Sequence, residues 1–201
     1  MLCLVCQTVT RGSLCPGCRS TLKPARDRLL TGGIRVIAAF EHCDAARVLI
    51  HHLKYRGITD YAELVADLLI PRLPELPLVP VPRTLTRRVR YGVDGARVVA
   101  SALARRLGVP VVDALAAPLH TARRAGRDHA REVRPYRLRS AVPPDCLVVD
   151  DVVTTGGTVM AAVNALGPER VRAAVTANLV PRASNVTSPQ ARIMEGIWQQ
   201  F

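Results

Sequence analysis

The amino-acid sequence predicts an α/β protein with a doubly wound, mainly parallel sheet, preceded by a small four-cysteine module. Three observations support this prediction. Short apolar runs alternate with segments of helical periodicity, which is typical of βαβ units. The chain of 201 residues is 49% hydrophobic but only 3% aromatic, so valine, leucine and alanine must fill the core, as in buried parallel sheets. Four cysteines fall within residues 1–22, a segment too short for a core of its own.

The first half of the chain predicts two strands that flank two helices. In chain order these are a strand at 34–40, a helix at 44–55, a helix at 60–70 and a strand at 76–81. Asp44 is a suitable N-cap for the first helix, and Gly57 is its stop signal. Pro71 ends the second helix. A basic loop at 82–91 follows the second strand.

The second half repeats the alternation around a long polar insertion. It predicts a helix at 95–107, strands at 109–112 and 146–149, a helix at 156–166 and a strand at 171–179. Residues 120–139 are arginine-rich without a sustained apolar period, so we expect a long mobile loop there. We therefore expect three units, which are a cysteine module at 1–22, an α/β domain at 23–180 and a tail at 181–201.

The chain carries a formal net charge of +12, and nearly all of its basic residues are arginine. Because arginine binds phosphate in a bidentate manner, this predicts an anionic partner, either a nucleic acid or a phosphorylated metabolite. The longest apolar stretches fall short of the ~18 residues that a membrane span needs, so no membrane partner is expected. Cysteines interrupt the segment where a signal peptide has its apolar core. We therefore expect a cytoplasmic protein.

Two CxxC pairs, separated by eight residues, lie near the N-terminus. They are formed by Cys3, Cys6, Cys15 and Cys18. Each CxxC turn directs two sulfurs at one point, so two turns complete a tetrahedron around one structural zinc ion. Two disulfides are the first alternative, which a cytosolic chain disfavours. A redox-active pair is the second, and it needs one pair in a thioredoxin-like context. Cys43 and Cys146 lie in or beside apolar segments and are expected to be inert.

Residues 147–158 read Leu-Val-Val-Asp-Asp-Val-Val-Thr-Thr-Gly-Gly-Thr. A buried strand delivers Asp150 and Asp151 to its C-terminal end, where α/β sheets bind ligands. A turn rich in potential phosphate donors then opens a helix. Its members are Thr154, Thr155, Gly156, Gly157 and Thr158. Adjacent carboxylates can also accept hydrogen bonds from a ribose diol. A plain strand–turn–helix with an aspartate N-cap explains one carboxylate but neither the pair nor the donors, so the segment predicts a sugar-phosphate site.

This segment resembles the signature of type I phosphoribosyltransferases. Together with the cysteine module, the Leu-Lys-Tyr-Arg-Gly stretch at 53–57 and the Val-Pro-Val-Pro stretch at 79–82, the chain resembles the ComF family, which is associated with natural competence and DNA handling in bacteria. The resemblance covers residues 1 to about 180. It implies a phosphoribosyltransferase fold, a magnesium-dependent site for phosphoribosyl pyrophosphate and an acceptor that the sequence does not identify.

The resemblance also implies roles for individual residues. Asp150 and Asp151 would hold the ribose hydroxyls, and residues 154–158 would cradle the 5′-phosphate. The loop around Val81 lies where such enzymes bind pyrophosphate, although its prolines could equally serve to end the strand. Lys54 occupies the family's recurring Leu-Lys position and is a candidate pyrophosphate contact, although a lysine near a helix end also favours the helix dipole.

The chain departs from the family pattern at two places. Residues 91–94 read Tyr-Gly-Val-Asp, with Tyr91 where an arginine is expected. Residues 123–139 keep arginines but lack the usual glutamine and the later Arg-x-x-Asn. Both segments border the expected acceptor and pyrophosphate side of the site, whereas the sugar-phosphate side keeps the family pattern.

Two arginine clusters have three possible interpretations. They consist of Arg83, Arg87, Arg88 and Arg90, and of Arg123, Arg124, Arg127, Arg131 and Arg134. The clusters could form a solvated face, a hood in which Arg123 and Arg124 close over pyrophosphate, or a track for single-stranded DNA. DNA tracks interleave aromatic residues for base stacking, and only Tyr91 and Tyr136 are near, which favours the hood.

Two functions follow from these features. The first is a phosphoribosyltransferase that binds phosphoribosyl pyrophosphate with magnesium while an acceptor attacks the anomeric carbon. The second is a competence or DNA-uptake accessory protein that binds single-stranded DNA or a DNA-uptake helicase, with a sugar-phosphate site that is not catalytic. The acidic pair favours the first, and the net charge and the zinc module favour the second.

Overall fold

A computed structural model describes residues 1–56, 59–84, 93–116 and 135–181. Its strands, numbered in chain order, are β1 (Arg28–Leu29), β2 (Arg35–Glu41), β3 (Leu78–Pro80), β4 (Leu115–Ala116), β5 (Arg137–Leu138), β6 (Cys146–Val153) and β7 (Val171–Leu179). Its helices are α1 (Pro16–Ser20), α2 (Asp44–Arg56), α3 (Asp60–Leu69), α4 (Gly95–Leu107) and α5 (Gly157–Leu166), with 3-10 turns at Ile70–Arg72 and Pro168–Arg170. None of the helices in these ranges is long and apolar enough to cross a membrane.

A five-stranded sheet in the order β1-β2-β7-β6-β3 forms the centre of the fold. Four of its strands are parallel, and only β1 runs antiparallel, beside β2. The β6–β7 ladder is the longest of these pairings, running from Cys146 opposite Val171 to Val153 opposite Leu179. The prediction of an α/β protein with a mainly parallel sheet is therefore confirmed.

Helices cover both faces of this sheet. Alternate side chains of β2 point to opposite faces, as the two-residue period of a strand requires. Ile37 and Ala39 pack in the same apolar cluster as residues of α2, α3 and α4. Val36 and Ala38 pack instead with residues of α5. The observed packing agrees with the predicted doubly wound arrangement, in which helices lie on both sides of the sheet.

The order of the strands reverses beyond β3. Residues 110–112 lie on the outer side of β3, where Leu78 N donates to Pro110 O at 2.9 Å and Val112 N donates to Leu78 O at 2.8 Å. The chain then returns to form β6 on the inner side of β3. Helix α4 follows β3 on one face and α5 follows β6 on the other. Such a reversal leaves a crevice between the carboxyl ends of the two strands, where α/β proteins bind ligands.

Several predicted boundaries change in the structure. The helix at 95–107 and the strand at 171–179 are found as predicted. β6 continues four residues past the predicted end at 149, because its ladder with β7 persists to Val153. The expected strand at 109–112 reduces to a single bridge between Leu78 and Val111. Asp44, expected to cap α2, is instead its first residue and has φ 41°.

Two further differences concern strands. β3 is shorter than the predicted strand at 76–81, since prolines on either side of Val81 offer no N–H to a ladder. Within 120–139, expected to be a loop, Arg137–Leu138 forms β5 and pairs antiparallel with β4. Residues 117–134 lie outside the described part of the chain, as do 182–201, which include most of the predicted tail.

The N-terminal module packs against α3. Leu4, Val5 and Leu14 contact the apolar cluster to which α3 belongs. The hydroxyl of Ser13 donates a hydrogen bond to Asp60 at the start of α3. Because residues 1–22 are too few to form a core, this shared apolar contact contributes to holding the module in place.

Candidate functional site

Asp151 lies in the crevice between the carboxyl ends of β3 and β6, and its side chain contacts two cations. Lys54 Nζ, from α2, lies 2.7 Å from Asp151 Oδ1. Arg83 Nη2, from the segment that follows β3, lies 3.1 Å from Asp151 Oδ2. The three side chains are only 20%, 13% and 10% exposed for Lys54, Arg83 and Asp151, so solvent screens these ion pairs less than it screens surface pairs.

Arg83 is held from several directions. Its Nη1 donates to Val93 O at 3.2 Å, and its backbone N–H donates to Asp94 Oδ2 at 3.3 Å. The centre of its guanidinium lies 6.0 Å from the centroid of the Tyr55 ring, within the range of a cation–π contact. Sequence analysis placed Arg83 in an arginine cluster but gave it no role of its own.

Asp150 has a different environment from its neighbour. Its Oδ1 accepts a hydrogen bond from the Asp151 backbone N–H at 2.8 Å. Burial, followed by the negative charge of Asp151, raises the pKa of Asp150 above its ordinary value, while Lys54 acts in the opposite direction. Asp150 is therefore harder to ionise than an ordinary aspartate, and a cation that enters the crevice would favour its charged form.

The predicted phosphate turn lies between β6 and α5. Thr154, Thr155 and Gly157 are exposed, whereas Thr158 is half-buried. Gly156 precedes the helix with φ 93° and is buried. The first amides of α5 are therefore presented at an exposed helix N-terminus, the arrangement that favours an anion.

The β1–β2 hairpin supports this turn from behind. A Cβ on Gly156 would lie 2.6 Å from Leu30 Cδ2, so the turn passes closer to Leu30 than any side chain at 156 would allow. Arg28 Nη1 donates to Thr154 O at 2.7 Å, and its Nη2 donates to Val180 O. Neither β1 nor these two contacts was predicted, because a two-residue strand has no periodicity to detect.

The predicted pyrophosphate loop is only partly available for a ligand. Val81 is buried and its backbone N–H donates to Val149 O at 2.8 Å. Its neighbours Pro80 and Pro82 have no N–H to offer. The role assigned to Val81 stays a prediction, but the first side chain after this loop that enters the crevice is Arg83. Arg123, Arg124, Tyr91 and Gly92 lie outside the described residues.

Tyr136 follows the second arginine-rich segment and lies beside the crevice. Its hydroxyl lies 3.5 Å from Pro82 O, and its ring packs beside the cluster that includes α5. Burial, followed by the charges of Asp150 and Asp94, raises the pKa of Tyr136. Tyr136 therefore stays a neutral hydroxyl beside the acidic pair.

A buried polar network ends at the same edge of the sheet. Asn178 in β7 accepts a hydrogen bond from Tyr61 and donates to Ala46 O at 2.9 Å. Its Nδ2 also lies 3.0 Å from His42 Nδ1. Burial, then the charges of Arg47 and Lys54, lowers the pKa of His42 to about 4. His42 is therefore neutral, with Nδ1 accepting from Asn178 and the proton on Nε2. No sequence motif indicated this network.

The four N-terminal cysteines meet at one point. All four Sγ atoms lie within 4.8 Å of one another, and Cys6 Sγ is 3.6 Å from Cys15 Sγ. Four sulfurs at ~2.3 Å from a tetrahedral zinc ion are about 3.8 Å apart. The six cysteines of the chain are all free thiols, which argues against the disulfide alternative. This group of thiols fits one zinc ion.

The local backbone explains how the thiols converge. In the first CxxC turn, Cys3 N donates to Thr8 O at 2.8 Å and Gln7 adopts φ 61°. In the second, Cys15 is the N-cap of α1, and its sulfur accepts from Cys18 N at 3.4 Å. Burial opposes ionisation of Cys3, but backbone N–H groups, led by that of Cys15, lower its pKa to about 6. The first turn thus favours the thiolate form of Cys3, which is the form that binds metal, whereas burial and the neighbouring thiols raise the pKa of Cys18 in the second turn.

Cys43 and Cys146 lie apart from this group. Burial raises the pKa of both thiols, that of Cys146 to about 11. A thiol that stays protonated is a poor nucleophile and a poor metal ligand. Their environment agrees with the prediction that they are inert.

Family models and curated proteins were compared with the chain. No protein-family model matches the chain, and no curated protein matches it significantly. The resemblance to the ComF family therefore stays a prediction.

The cysteine group predicts about one zinc ion per chain, to be measured by elemental analysis of protein purified without added metal. Cys15→Ser is expected to lose the zinc and to cost at least ~2 kcal/mol, lowering the Tm by roughly 4–8 °C, because the module then releases its contacts with α3. Cys43→Ser is the control and should keep both the metal and the Tm. Metal-free wild-type protein would contradict the assignment.

Gly156→Ala is expected to destabilise the protein by about 2–3 kcal/mol in urea unfolding, since it adds both a left-handed alanine and a contact with Leu30. Gly33→Ala is a matched control, because Gly33 has φ 81° but open space around it, and it should cost only about 1 kcal/mol. In a Leu30→Ala background, Gly156→Ala should lower the free energy of unfolding by about as much as Gly33→Ala does in the wild-type protein. Equal costs for the two single variants would show that Leu30 does not support the turn.

Proposed function

We propose that this protein is a phosphoribosyltransferase that binds phosphoribosyl pyrophosphate with magnesium in the crevice between β3 and β6. The observation that carries the proposal is that two complementary groups of residues meet where the strand order of the sheet reverses. These groups form the two halves of the proposed site. One half is the acidic pair followed by the donor turn at 154–158, of which Thr154, Thr155 and Gly157 are exposed. The other half is the cation pair formed by Lys54 and Arg83.

The donor turn suits the phosphate of a phosphosugar. The exposed residues Thr154, Thr155 and Gly157 lie at the N-terminus of the ten-residue helix α5, where Gly157 N donates a long hydrogen bond of 3.5 Å to Thr155 Oγ1. Backbone amides and the helix dipole there favour a dianion without a fixed positive side chain. With the 5′-phosphate on this turn, the ribose ring would extend toward Asp150.

The cation pair suits a diphosphate. Lys54 and Arg83 each contact a different oxygen of Asp151 and are largely removed from solvent. Charge-assisted hydrogen bonds are stronger in such a place than at the surface. The leaving group of phosphoribosyl pyrophosphate would therefore meet two cations in the crevice.

The acidic pair fits magnesium. Magnesium is bound through one or two carboxylates together with substrate phosphates and water. Asp151 already contacts two cations, so Asp150 is the carboxylate better placed to hold the ion and the ribose diol, and the raised pKa of Asp150 would return toward normal beside the cation. The ion would supply charge neutralisation for the departing pyrophosphate.

The reaction itself needs orientation and charge stabilisation. The bond between the anomeric carbon and pyrophosphate breaks, and pyrophosphate leaves with the electron pair. The acceptor forms the new bond to the same carbon and releases its proton to solvent or to a nearby base. No covalent intermediate is required, so positioning by the turn and by the cations accounts for the chemistry.

The DNA-binding alternative depends mainly on residues 123–134, which lie outside the described part of the chain. It predicts tight oligonucleotide binding with a log-log salt slope of ~0.7 per phosphate contact on single strands. Titrating an oligonucleotide at two salt concentrations, beside phosphoribosyl pyrophosphate with magnesium, separates the two functions. A steep slope together with no binding of the phosphosugar would overturn the proposal.

Asp150→Asn is expected to weaken magnesium-dependent binding of phosphoribosyl pyrophosphate at least ~10-fold, because the amide loses the charge that holds the ion and the diol. Calorimetry at saturating magnesium measures this. Asp145→Asn is the control, since Asp145 immediately precedes the same strand but pairs with Arg172 at the surface. Equal affinity in wild type and Asp150→Asn would remove Asp150 from the site.

Asp150→Asn is also expected to stabilise the ligand-free protein at pH 8, by on the order of 1 kcal/mol or more. Because the pKa of Asp150 is raised from 3.8 in the folded state, its contribution to stability is present below pH 3.8 and is lost as pH rises through the raised value. The gain on substitution should therefore be largest at pH 8 and shrink toward pH 5 in urea unfolding. A gain that grows at low pH would contradict the assigned shift.

A further inference from the structure

The two aspartates of the acidic pair make different contacts, which indicates that they have different roles. Asp151 has each carboxylate oxygen paired with a different cation, from α2 and from the segment after β3. Asp150 accepts the backbone N–H of Asp151 through one oxygen. Asp151 thus contacts two protein cations, whereas the contact described for Asp150 is with a backbone amide.

The chain makes room for Asp151 in this position. A Cβ on Gly95, the first residue of α4, would lie 2.5 Å from Asp151 Oδ2, the oxygen that contacts Arg83. Any other residue at 95 would displace the carboxylate or the start of α4. The start of α4, the end of β6 and the Arg83 guanidinium are therefore fitted to one another.

Arg83 keeps capacity for a ligand after these contacts. A guanidinium has five N–H donors. In the described part of the chain, one Nη2 donor is directed to Asp151 and one Nη1 donor to Val93 O. The group is held between Asp151 and the Tyr55 ring, so it need not lose much side-chain entropy when it binds an anion.

Lys54, Arg83 and Asp151 together have a net charge of +1, since the carboxylate offsets one of the two cations. Asp151 therefore does not abolish the attraction for an anion. It removes much of the repulsion between Lys54 and Arg83, which would otherwise keep two largely buried cations apart. A diphosphate that enters the crevice is attracted by this remaining positive charge.

We propose that Arg83 is a diphosphate-binding residue and that Asp151 is its positioning residue, an inference that rests on the proposed function. Tyr91 stands where the resemblance leads one to expect an arginine. Arg83 supplies a guanidinium from the same connection between β3 and α4. The bidentate geometry of arginine matches a phosphate better than a lysine alone does.

The test uses two halves of the substrate as separate probes. Pyrophosphate with magnesium and ribose 5-phosphate are titrated by calorimetry into the wild-type chain and into Arg83→Gln. The variant is expected to bind pyrophosphate at least ~10-fold more weakly, the loss typical of a charge-assisted hydrogen bond, and ribose 5-phosphate within about twofold of wild type. Arg97→Gln is the control and should change neither affinity, because Arg97 pairs with Asp113 at the surface of α4.

A double-mutant cycle tests the positioning role. If Asp151 holds Arg83 in place, the effect of Arg83→Gln on pyrophosphate affinity should fall below about threefold in an Asp151→Asn background. Fold-changes that simply multiply would refute the positioning role of Asp151. Circular dichroism and Tm measurements check that each variant is folded. If Asp151→Asn does not fold, Arg83→Gln alone still decides whether Arg83 binds the diphosphate.

The outcomes separate this inference from the proposed function. A wild-type chain that binds neither probe overturns both. Binding of both probes with no loss in Arg83→Gln overturns the assignment of Arg83 and leaves the proposed function standing. Binding of ribose 5-phosphate alone shows that the cation pair is not a diphosphate site and overturns the role of Arg83.

Discussion

The reversal of strand order beyond β3 determines where the functional groups of this protein lie. Because residues 110–112 take the outer side of β3 and β6 takes the inner side, the chain leaves the carboxyl ends of β3 and β6 toward opposite faces. The crevice between them is bordered by Arg83 on one side and by the acidic pair on the other. The donor turn follows from the same constraint, since α5 must begin where β6 ends.

Local patterns in the sequence predicted the parts of the site that are contiguous. The two CxxC pairs predicted a group of four thiols, which the structure brings together. The Thr/Gly turn was predicted to open a helix, and it precedes α5 as expected. The acidic pair was predicted to end its strand, but both aspartates lie within β6, which continues to Val153. The extension was missed because it is stabilised by pairing with β7, and hydrogen bonds to a distant strand leave no local signal.

The partners of Asp151 could not be predicted in the same way. Lys54 and Arg83 are far from it along the chain. Lys54 was assigned only through the family resemblance, and Arg83 only as a member of an arginine cluster. Asp151 contacts both cations because α2 and the segment after β3 pack beside each other on the sheet. The support of the donor turn by Leu30 and Arg28 is equally non-local. Sequence patterns thus identify the strands and turns of this site, while its electrostatics depend on the tertiary fold.

A chain of hydrogen bonds connects the four-cysteine module to the carboxyl edge of the sheet. Ser13 of the module hydrogen-bonds Asp60 at the start of α3, and the next residue, Tyr61, donates to Asn178 in the centre of the sheet. Asn178 in turn fixes the tautomer of His42, whose pKa responds to Lys54 and Asp151. A metal ion bound by these four thiols would stabilise the turns of the module, and through Ser13 it would contribute to the order of α3. The same contacts then hold the edge of the sheet at which the crevice opens.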